Sequence, residues 1–522
     1  MKRIFLIVAA ILLCICNLHG QKNRKILYRA DMGYYDEEVL SGANRLVGNV
    51  KFAHDNVVGY CDSAYLYEAD NYIIAFGNPV RIIISDSVIL YGRRAYYDGN
   101  IRQASIAERV RLENGKSYLL TDSLFYDLNI DCGSYTTGAR IFSDEDTLTS
   151  VIGKYYTSTD DAYLHQDVQL HSSSYVMNCD SLRYNVSYKT AYFISPTHLV
   201  SDENTIYTEH GFYNTNTDIS VLHGNVMLTG ENQTLYADSL YYDKGLHFGR
   251  AWNNAKYIDT SNNFILQGNY LEHYEKGGTS IATDSNLVIY IDDNQDTLFL
   301  HCDTLKVDFD TASNPTLLRA YYHTKFLHNN IQGACDSMSY NVNDSIMMMY
   351  YNPVFWSDNY QLSGDSVRFI MLDSVNSTIE LCKSGFIVGG LFEDSEFNQI
   401  KGLNIKGFLK DKELYRVDIV GNAECIYYIQ EEDSSLIGIN TSITSEMRIY
   451  LDSNQIQQIR YFDAPNGQIN PDEQLEEKER KLQGFRWLDA YRPRKTEDLF
   501  VMPIPRGLSD DETMNNDDTM KR

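Results

Sequence analysis

The sequence predicts an all-β protein built from a long series of similar β-hairpins. Three observations support this fold class: a short phrase recurs along most of the chain, apolar and polar residues alternate on both sides of it, and tyrosine is abundant, with 41 copies in 522 residues. Recurrence at a period between about 20 and 50 residues is typical of stacked repeats. Alternation with a period of two indicates strands, and tyrosine with β-branched residues favours pleated, half-buried surfaces.

Residues 1–20 have the pattern of a secretory signal peptide. Lys2 and Arg3 precede an apolar run from Ile4 to Cys16, and the small Gly20 stands before Gln21. The run is too short to span a bilayer comfortably. We therefore expect the chain to be exported from the cytoplasm.

The recurring phrase is a small residue, then Asp-Ser, an apolar residue and an aromatic residue. Weaker copies lie midway between the early ones and carry Arg93, Lys154 or Asn269 in place of the aspartate. From Asp31 to Asp365 the spacing averages about 30 residues, which predicts a β-repeat region over residues 21–385. The clear copies are Asp62-Ser63, Asp122-Ser123, Asp180-Ser181, Asp238-Ser239, Asp336-Ser337 and Asp365-Ser366.

Within one period the pattern is that of a hairpin with a corner. Val226–Leu228 leads through a polar turn into Leu235–Ala237, and the apolar phase then slips, because Ala237 and Leu240 lie three residues apart. A bulge or corner at every Asp-Ser step explains this slip. A ladder of carboxylates binding cations is the alternative. Local bonding of Asp and Ser to the backbone at turns is favoured, since Lys154 replaces the aspartate in one copy.

The chemistry-bearing residues do not indicate an enzyme, a metal or a cofactor. Seven cysteines follow residue 20, and four of them directly precede an Asp position, which favours a small buried side chain over a disulfide framework or a metal site. No hydrolase or metalloprotease motif and no Cys-x-x-Cys occurs after residue 20. The net charge of −26 argues against a nucleic-acid partner.

The end of the chain differs from the repeats in composition. Five of the 9 prolines fall between Pro465 and Pro505. We predict a C-terminal β module over residues 386–470 and a capping segment over 471–506, with a short helix from Glu473 to Lys481. This segment covers the last open coil or, alternatively, docks a partner. The acidic tail, 507–522, has a composition typical of disorder.

Two strand starts carry a family resemblance. Leu46-Val47-Gly48-Asn49-Val50 and His223-Gly224-Asn225-Val226 are each followed, eleven residues after the valine, by a small residue and Asp-Ser. This pattern, repeated over residues 27–375, resembles the OstA-like or LptA family, which comprises LptA and the N-terminal domain of LptD.

The resemblance implies an elongated, repetitive β-jellyroll, a folded-over sheet whose apolar inside holds the acyl chains of lipopolysaccharide. It also implies a location in the periplasm, either in solution or associated with the inner face of the outer membrane. The implied role is non-enzymatic transport between the inner and outer membranes, with other OstA-like transport components and further copies of the chain as end-to-end partners. Because the chain and lipopolysaccharide are both anionic, binding would depend on acyl burial. The inward-facing candidates for lipid contact are Val50, Phe52, Val168, Leu170, Val226, Leu228, Leu235 and Ala237.

Two other functions stay open at this point. A non-enzymatic β-solenoid scaffold or adhesin at the cell envelope requires an interior filled by side chains, whereas transport requires an open apolar groove. A carbohydrate-active β-helix enzyme would need a cleft with clustered carboxylates.

Overall fold

Antiparallel β-strands form almost all of the chain in the computed structural model, which confirms the predicted all-β class. The predicted signal peptide and acidic tail lie outside the described residues. No helix in the described part of the chain is long and apolar enough to cross a membrane. The structure describes residues 25–35, 41–202, 204–274, 278–291, 295–312, 314–329, 331–373, 375–391, 395–411, 413–431, 435–452, 455–463 and 465–501.

The chain divides into two compact units between His223 and Gly224. Strand β19 (Ile219–Thr229) contains this division. The strands of the N-terminal unit are β1 (Leu27–Arg29), β2 (Met32–Tyr35), β3 (Asn44–His54), β4 (Val57–Tyr67), β5 (Tyr72–Ile83), β6 (Val88–Asp98), β7 (Gln103–Asn114), β8 (Ser117–Asp127), β9 (Cys132–Tyr135), β10 (Ala139–Ser143), β11 (Asp146–Ser150), β12 (Ile152–Tyr156), β13 (Asp161–His171), β14 (Tyr175–Asn185), β15 (Thr190–Phe193), β16 (Thr197–Ser201), β17 (Thr205–Thr208) and β18 (His210–Asn214).

The C-terminal unit has longer strands and ends in four short 3₁₀ helices. Its strands are β20 (Gln233–Asp243), β21 (Phe248–Asp259), β22 (Phe264–Tyr274), β23 (Thr279–Ile291), β24 (Thr297–Phe309), β25 (Pro315–His328), β26 (Ile331–Asn341), β27 (Ile346–Tyr350), β28 (Val354–Ser357), β29 (Tyr360–Ser363), β30 (Ser366–Met371), β31 (Asn376–Leu391), β32 (Glu396–Lys410), β33 (Glu413–Gln430), β34 (Leu436–Asp452), β35 (Gln455–Phe462) and β36 (Asn466–Asn470). The 3₁₀ helices are Asp472–Gln474, Glu477–Arg480, Asp489–Tyr491 and Thr496–Phe500. Two of them replace the single helix predicted from Glu473 to Lys481.

Each long hairpin bends at a β-bulge in its middle, at the Asp-Ser step, as the phase slip predicts. Opposite Asp62, for example, the register of β3 and β4 shifts between Val47 and Val50. The bulged strand turns the corner through two successive residues in the left-handed region, where Gly, Asn and Asp are tolerated best. These dipeptides include Gly48-Asn49, Glu108-Arg109, Gln166-Asp167, Gly224-Asn225, Asn253-Asn254, Asp284-Ser285, Tyr322-His323, Lys383-Ser384 and Gly421-Asn422.

One predicted corner is displaced. The copy predicted at Gly153-Lys154 is not at the bend, because Lys154 pairs in register with Tyr163. The bend lies at Val151, whose N–H donates to the carbonyl of Gln166 at 3.0 Å. The corner positions 122, 151, 180, 209 and 238 are therefore evenly spaced along the sequence, and an apolar valine occupies one of them.

The corners divide each hairpin into two arms. Arm A carries the half-strands that contain Val50 and Phe52, and arm B carries those that contain Leu46. The arms face each other, since the rings of Phe52 on arm A and Tyr97 on arm B lie 6.4 Å apart and are stacked. In both arms the residues that point between them are apolar, so each unit has its core between its own two arms. The predicted boundary at residues 385 and 386 stays a prediction.

Candidate functional site

The interior of the N-terminal unit is filled by its own side chains. Val50, Phe52, Val168 and Leu170, four of the predicted lipid-contact residues, are all between 0% and 1% exposed. They lie on arm A, where Val168 pairs with the interior Cys179 across β13 and β14. These four side chains are packed in the interior, which leaves no lipid-sized space beside them, and their contact with lipid stays a prediction.

Arm B of the same interior carries a row of tyrosines, and the aromatic residue that ends the recurring phrase belongs to it at Tyr126 and Tyr184, although its inward position was not predicted. We name this row, Tyr97, Tyr126, Tyr155, Tyr184 and Tyr213, the tyrosine ladder. Its members are evenly spaced along the sequence, and the first four are fully buried. Burial raises the pKa of Tyr97 and of Tyr126 to about 12, so both phenols stay neutral at physiological pH. The spacing of tyrosines alone would have revealed this row.

In the C-terminal unit the remaining four predicted residues are less uniformly covered. Val226 is 2% exposed and Ala237 is 5% exposed, whereas Leu228 and Leu235 are half-buried. Tyr257 pairs with Leu235 and is also half-buried. All eight predicted residues thus lie on arm A, and only Leu228 and Leu235 leave apolar surface accessible.

An apolar cavity lies between the two arms near the end of the C-terminal unit. Its volume is about 20 Å³, which is room for a group the size of a water molecule or a methyl. Arm A contributes Ile387, Ile400 and Tyr427, and arm B contributes Ile449 and Ile459, so the cavity has apolar walls on both sides. The other lining residues are Tyr360, Gly389, Asn398, Cys425, Ile426 and Ile456.

The polar groups in this cavity are already occupied or neutral. The side-chain oxygen of Asn398 accepts a hydrogen bond from the Tyr428 N–H at 2.9 Å. Burial raises the pKa of Cys425 to about 12 and also raises the pKa of Tyr427. The small cavity therefore offers apolar contact and no charge, which suits the end of an aliphatic chain rather than an ion or a sugar.

The outer side of the cavity wall is covered by the end of the chain. We name residues 471–501 the C-terminal strap. Phe386 and Val388 face the strap while Ile387 between them faces the cavity, because successive residues of a strand point to opposite sides. The strap thus lies across the outer face of arm A, whereas the sequence predicted a cover for the last open coil.

The strap crosses the strands in the reverse of their chain order. Leu475 and Leu482 pack on β33 and β34, Phe485 and Trp487 on β31 and β32, and Leu488 on β26 and β28. The ring of Phe500 then lies 4.3 Å from that of His301 on β24. The strap therefore holds together at least seven strands of the C-terminal unit.

Three glutamines that are nearly fully buried bond to the strap. Gln361 donates to the Arg486 carbonyl and accepts from the Leu488 N–H, both at 2.7 Å. Gln399 makes the equivalent pair with the Arg480 carbonyl at 2.7 Å and the Leu482 N–H at 2.8 Å. Gln332 accepts from the Arg492 side chain at 2.7 Å. The bonds of Gln361 and Gln399 fix the register of the strap, because a backbone N–H and a backbone carbonyl must both meet each of these two amides.

The corner aspartates bond to the opposite bulge. The partners across the corner are Asn49 for Asp31 at 2.8 Å, the Asn78 N–H for Asp62 at 3.1 Å, Asn254 for Asp238 at 2.9 Å and His323 for Asp303 at 2.8 Å. Among the residues that the structure describes, no group of three or more His, Cys, Asp or Glu could hold a metal ion. The hydrogen bonds across the corners favour a structural role for these aspartates over a ladder of cation sites.

The seven cysteines of the described chain are all free thiols. Three of the four that precede an Asp position, Cys61, Cys302 and Cys335, are buried, and Cys179 is half-buried. Burial raises the pKa of Cys61 and of Cys302 to about 12, which leaves these thiols protonated and unreactive. They pack as small side chains at the corners.

Comparison with known proteins assigns the repeat. The family model described as OstA-like protein matches residues 22–180, 164–238 and 205–281. No curated protein matches the chain. A solved structure of LptH, described as the LptA homologous periplasmic component of the lipopolysaccharide transport device of Pseudomonas aeruginosa, is 14% identical, with a TM-score of 0.19 over 20% of this chain and 78% of that chain. The assignment rests on the repeat sequence, and through residues 22–281 this chain belongs to the OstA-like protein family.

Proposed function

We propose that this protein binds the acyl chains of lipopolysaccharide in the periplasm and takes part in lipopolysaccharide transport to the outer membrane. Membership of the OstA-like family supports this role, because the resemblance of the repeated strand starts to that family implies lipopolysaccharide transport. The observation that carries the proposal is the apolar cavity between the arms of the C-terminal unit, with Ile400 on one wall and Ile449 on the other.

The physical chemistry of the cavity suits a lipid tail. Transfer of one methylene from water to an apolar site is worth about 0.8 kcal/mol, so an acyl chain gains several kcal/mol from partial burial. The net charge of −26 repels the phosphates of an anionic lipid. Binding through the tail, with the sugars left in water, avoids this repulsion.

The first strands provide a surface for the proposed partners. Strands β1 and β2 both pair with β3, and they carry Leu27 and Tyr35, which are 70% and 60% exposed. A strand at a sheet edge can pair with a strand of another chain. We propose that this edge receives another OstA-like component or a second copy of the protein.

A second candidate function is a non-enzymatic scaffold at the cell envelope. The filled interior of the N-terminal unit favours it, since Phe52 and Leu170 leave no space for a ligand. A scaffold needs a stable surface and no lipid, so lipid content separates the two functions.

The test is the lipid content of the full chain purified in mild detergent from a Gram-negative host. We expect mass spectrometry to find lipid A-type lipid with the wild type and at least a fivefold loss with Ile400→Trp, because the indole fills the cavity. Ile443→Trp is the matched control, since Ile443 is 57% exposed on β34 and its replacement leaves the cavity unchanged. Absence of lipid from the wild type, or equal lipid in all three proteins, would favour the scaffold.

A further inference from the structure

The tyrosine ladder alternates with small residues along arm B. Pairing across the strands gives the order Tyr97, Ala104, Tyr126, Gly133, Tyr155, Ala162, Tyr184, Ala191, Tyr213 and Ser220. A large ring beside each small residue fills the space between the arms without voids, as interdigitated cores require. The small residues of this row recur with the same even spacing as the tyrosines.

Hydroxyl groups of the ladder fasten arm B to arm A. They reach residues at the free ends of the arm A strands, which lie at the mouth between the two arms. The bonds are Tyr97 Oη to His54 Nδ1 at 2.7 Å, Tyr155 Oη to Asn114 Nδ2 at 3.1 Å and Tyr184 Oη to Asp146 Oδ2 at 2.9 Å. Each of these tyrosines therefore joins the two arms across the mouth.

The ladder hydroxyls that do not cross the mouth bond within arm B. Tyr126 bonds to Thr157 Oγ1 at 2.7 Å, and Tyr213 donates to Asp218 at 2.6 Å. Outside the ladder, Lys189 pairs with Asp144 at 2.9 Å across the same mouth. The mouth of the N-terminal unit is thus bonded along its length.

The same row of positions loses this pattern in the C-terminal unit. It continues through Tyr242 and Gly249, but then passes through the exposed His273, followed by Ser280 and Val307. The alternation of phenol and small residue ends there. The unit that lacks the ladder is the unit that contains the cavity.

We propose that the tyrosine ladder determines where lipid binds: it closes the mouth of the N-terminal unit against acyl chains and leaves the C-terminal unit as the lipid site. This inference rests on the proposed function. The acyl chain of a lipid can enter between the arms only from the mouth or from the ends of the sheet, and Tyr97, Tyr155 and Tyr184 hold the mouth shut.

The experiment compares lipid access to the two interiors in the full-length protein. A leucine-sized diazirine amino acid is placed at Leu170 in the N-terminal unit or at Ile400 in the cavity, and lipid A in mixed micelles is the probe. The variant Tyr97→Phe/Tyr155→Phe/Tyr184→Phe keeps every ring and removes the three bridging hydroxyls.

We expect wild-type protein to capture lipid A at position 400 and at least tenfold less at position 170. In the triple variant the arms can part at the mouth and the packed side chains can move aside, so capture at position 170 should rise at least tenfold while capture at position 400 stays the same. The control variant, Tyr91→Phe/Tyr96→Phe/Tyr163→Phe, removes three hydroxyls from the outer face of the same unit and should behave as wild type.

Amide hydrogen exchange of β7 and β8 gives a second readout that needs no lipid. It should quicken at least tenfold in the triple variant and stay unchanged in the control, whether or not the protein binds lipid. Capture at position 170 in the wild type, or unchanged exchange in a folded triple variant, would overturn the role of the ladder. Capture at neither position in any variant, with faster exchange in the triple variant, would overturn the lipid function and leave the ladder as the closure of the mouth.

Discussion

Replacement of Gln361 by leucine should release the C-terminal strap. Gln361 is 1% exposed, and its amide meets the Arg486 carbonyl and the Leu488 N–H at 2.7 Å each. Leucine fills a similar volume but bonds to neither group. The two strap groups then stay dehydrated without a partner for as long as the strap remains docked.

The magnitude follows from these two bonds. A hydrogen bond contributes about 1 kcal/mol net, and an unpaired buried backbone group costs about 1–3 kcal/mol. Leu488 is 2% exposed, so its N–H cannot turn to water in place. We expect docking of the strap to weaken by about 2–4 kcal/mol, which raises its undocked fraction by about 30- to 1000-fold.

Trypsin cleavage after Arg486 measures this fraction. When undocking is fast relative to cleavage, the cleavage rate follows the equilibrium population of the undocked strap, so it should rise by the same factor. Gln458→Leu is the control, because Gln458 is exposed on β35 and lies outside the strap contacts. If Gln361→Leu is folded and its Arg486 bond is cut no more than twofold faster than in the wild type, the glutamine bonds do not hold the strap.

Three further predictions concern packing, pH and the corners. Gly59→Ala should destabilise the protein by about 1–3 kcal/mol in chemical denaturation, because the added Cβ would lie 2.0 Å from the Phe52 ring; equal stability would contradict the filled interior. Burial raises the pKa of Tyr97 to about 12, above the value near 10 of an unfolded chain, so the stability that depends on its neutral phenol is present below pH 10 and is lost as the pH rises towards 12. A flat stability profile between pH 10 and 12 would contradict this. Asp238→Ala loses its 2.9 Å bond to Asn254 at an exposed corner, so it should cost under about 1 kcal/mol, and chelation of divalent cations should not alter the stability of wild type or variant.

The regular features of the fold could be predicted because they repeat. The corner at Asp238 followed from the three-residue step between Ala237 and Leu240, both of which are buried. The displaced corner shows that a match to the short recurring phrase does not by itself locate a bend. Gly153-Lys154 matched the phrase, whereas the bend lies at Val151, where the side chain differs but the even spacing of the corners is kept.

The candidate site was predicted in part, because a sequence motif marks only some of its residues. The Gly-Asn-Val starts mark the strand segment just after a bulge, which is always on arm A, and so Val50 and Val226 were found. On arm B the recurring phrase ends in Tyr126 and Tyr184, but the phrase alone does not show that these rings point between the arms. Gln332, Gln361 and Gln399 could not be found from spacing, since the second interval between them is longer than the first.

The cavity could not be predicted because it depends on strand length and not on a motif. In the N-terminal unit the long strands have 11 or 12 residues, whereas β31 to β34 have 15 to 18. Longer arms have more room between them, and the residues that line the cavity include the small Gly389 and Cys425. The N-terminal unit, whose repeats are evenly spaced, thus has a filled interior, and the C-terminal unit, whose repeats are longer, has the cavity.

If lipid binds where the repeat departs from its period, Gly389→Val, which narrows the cavity beside Tyr360, should lower lipid content in proportion to the volume lost. Lipid content that falls only when residues of the N-terminal unit are changed would refute this link between repeat length and function.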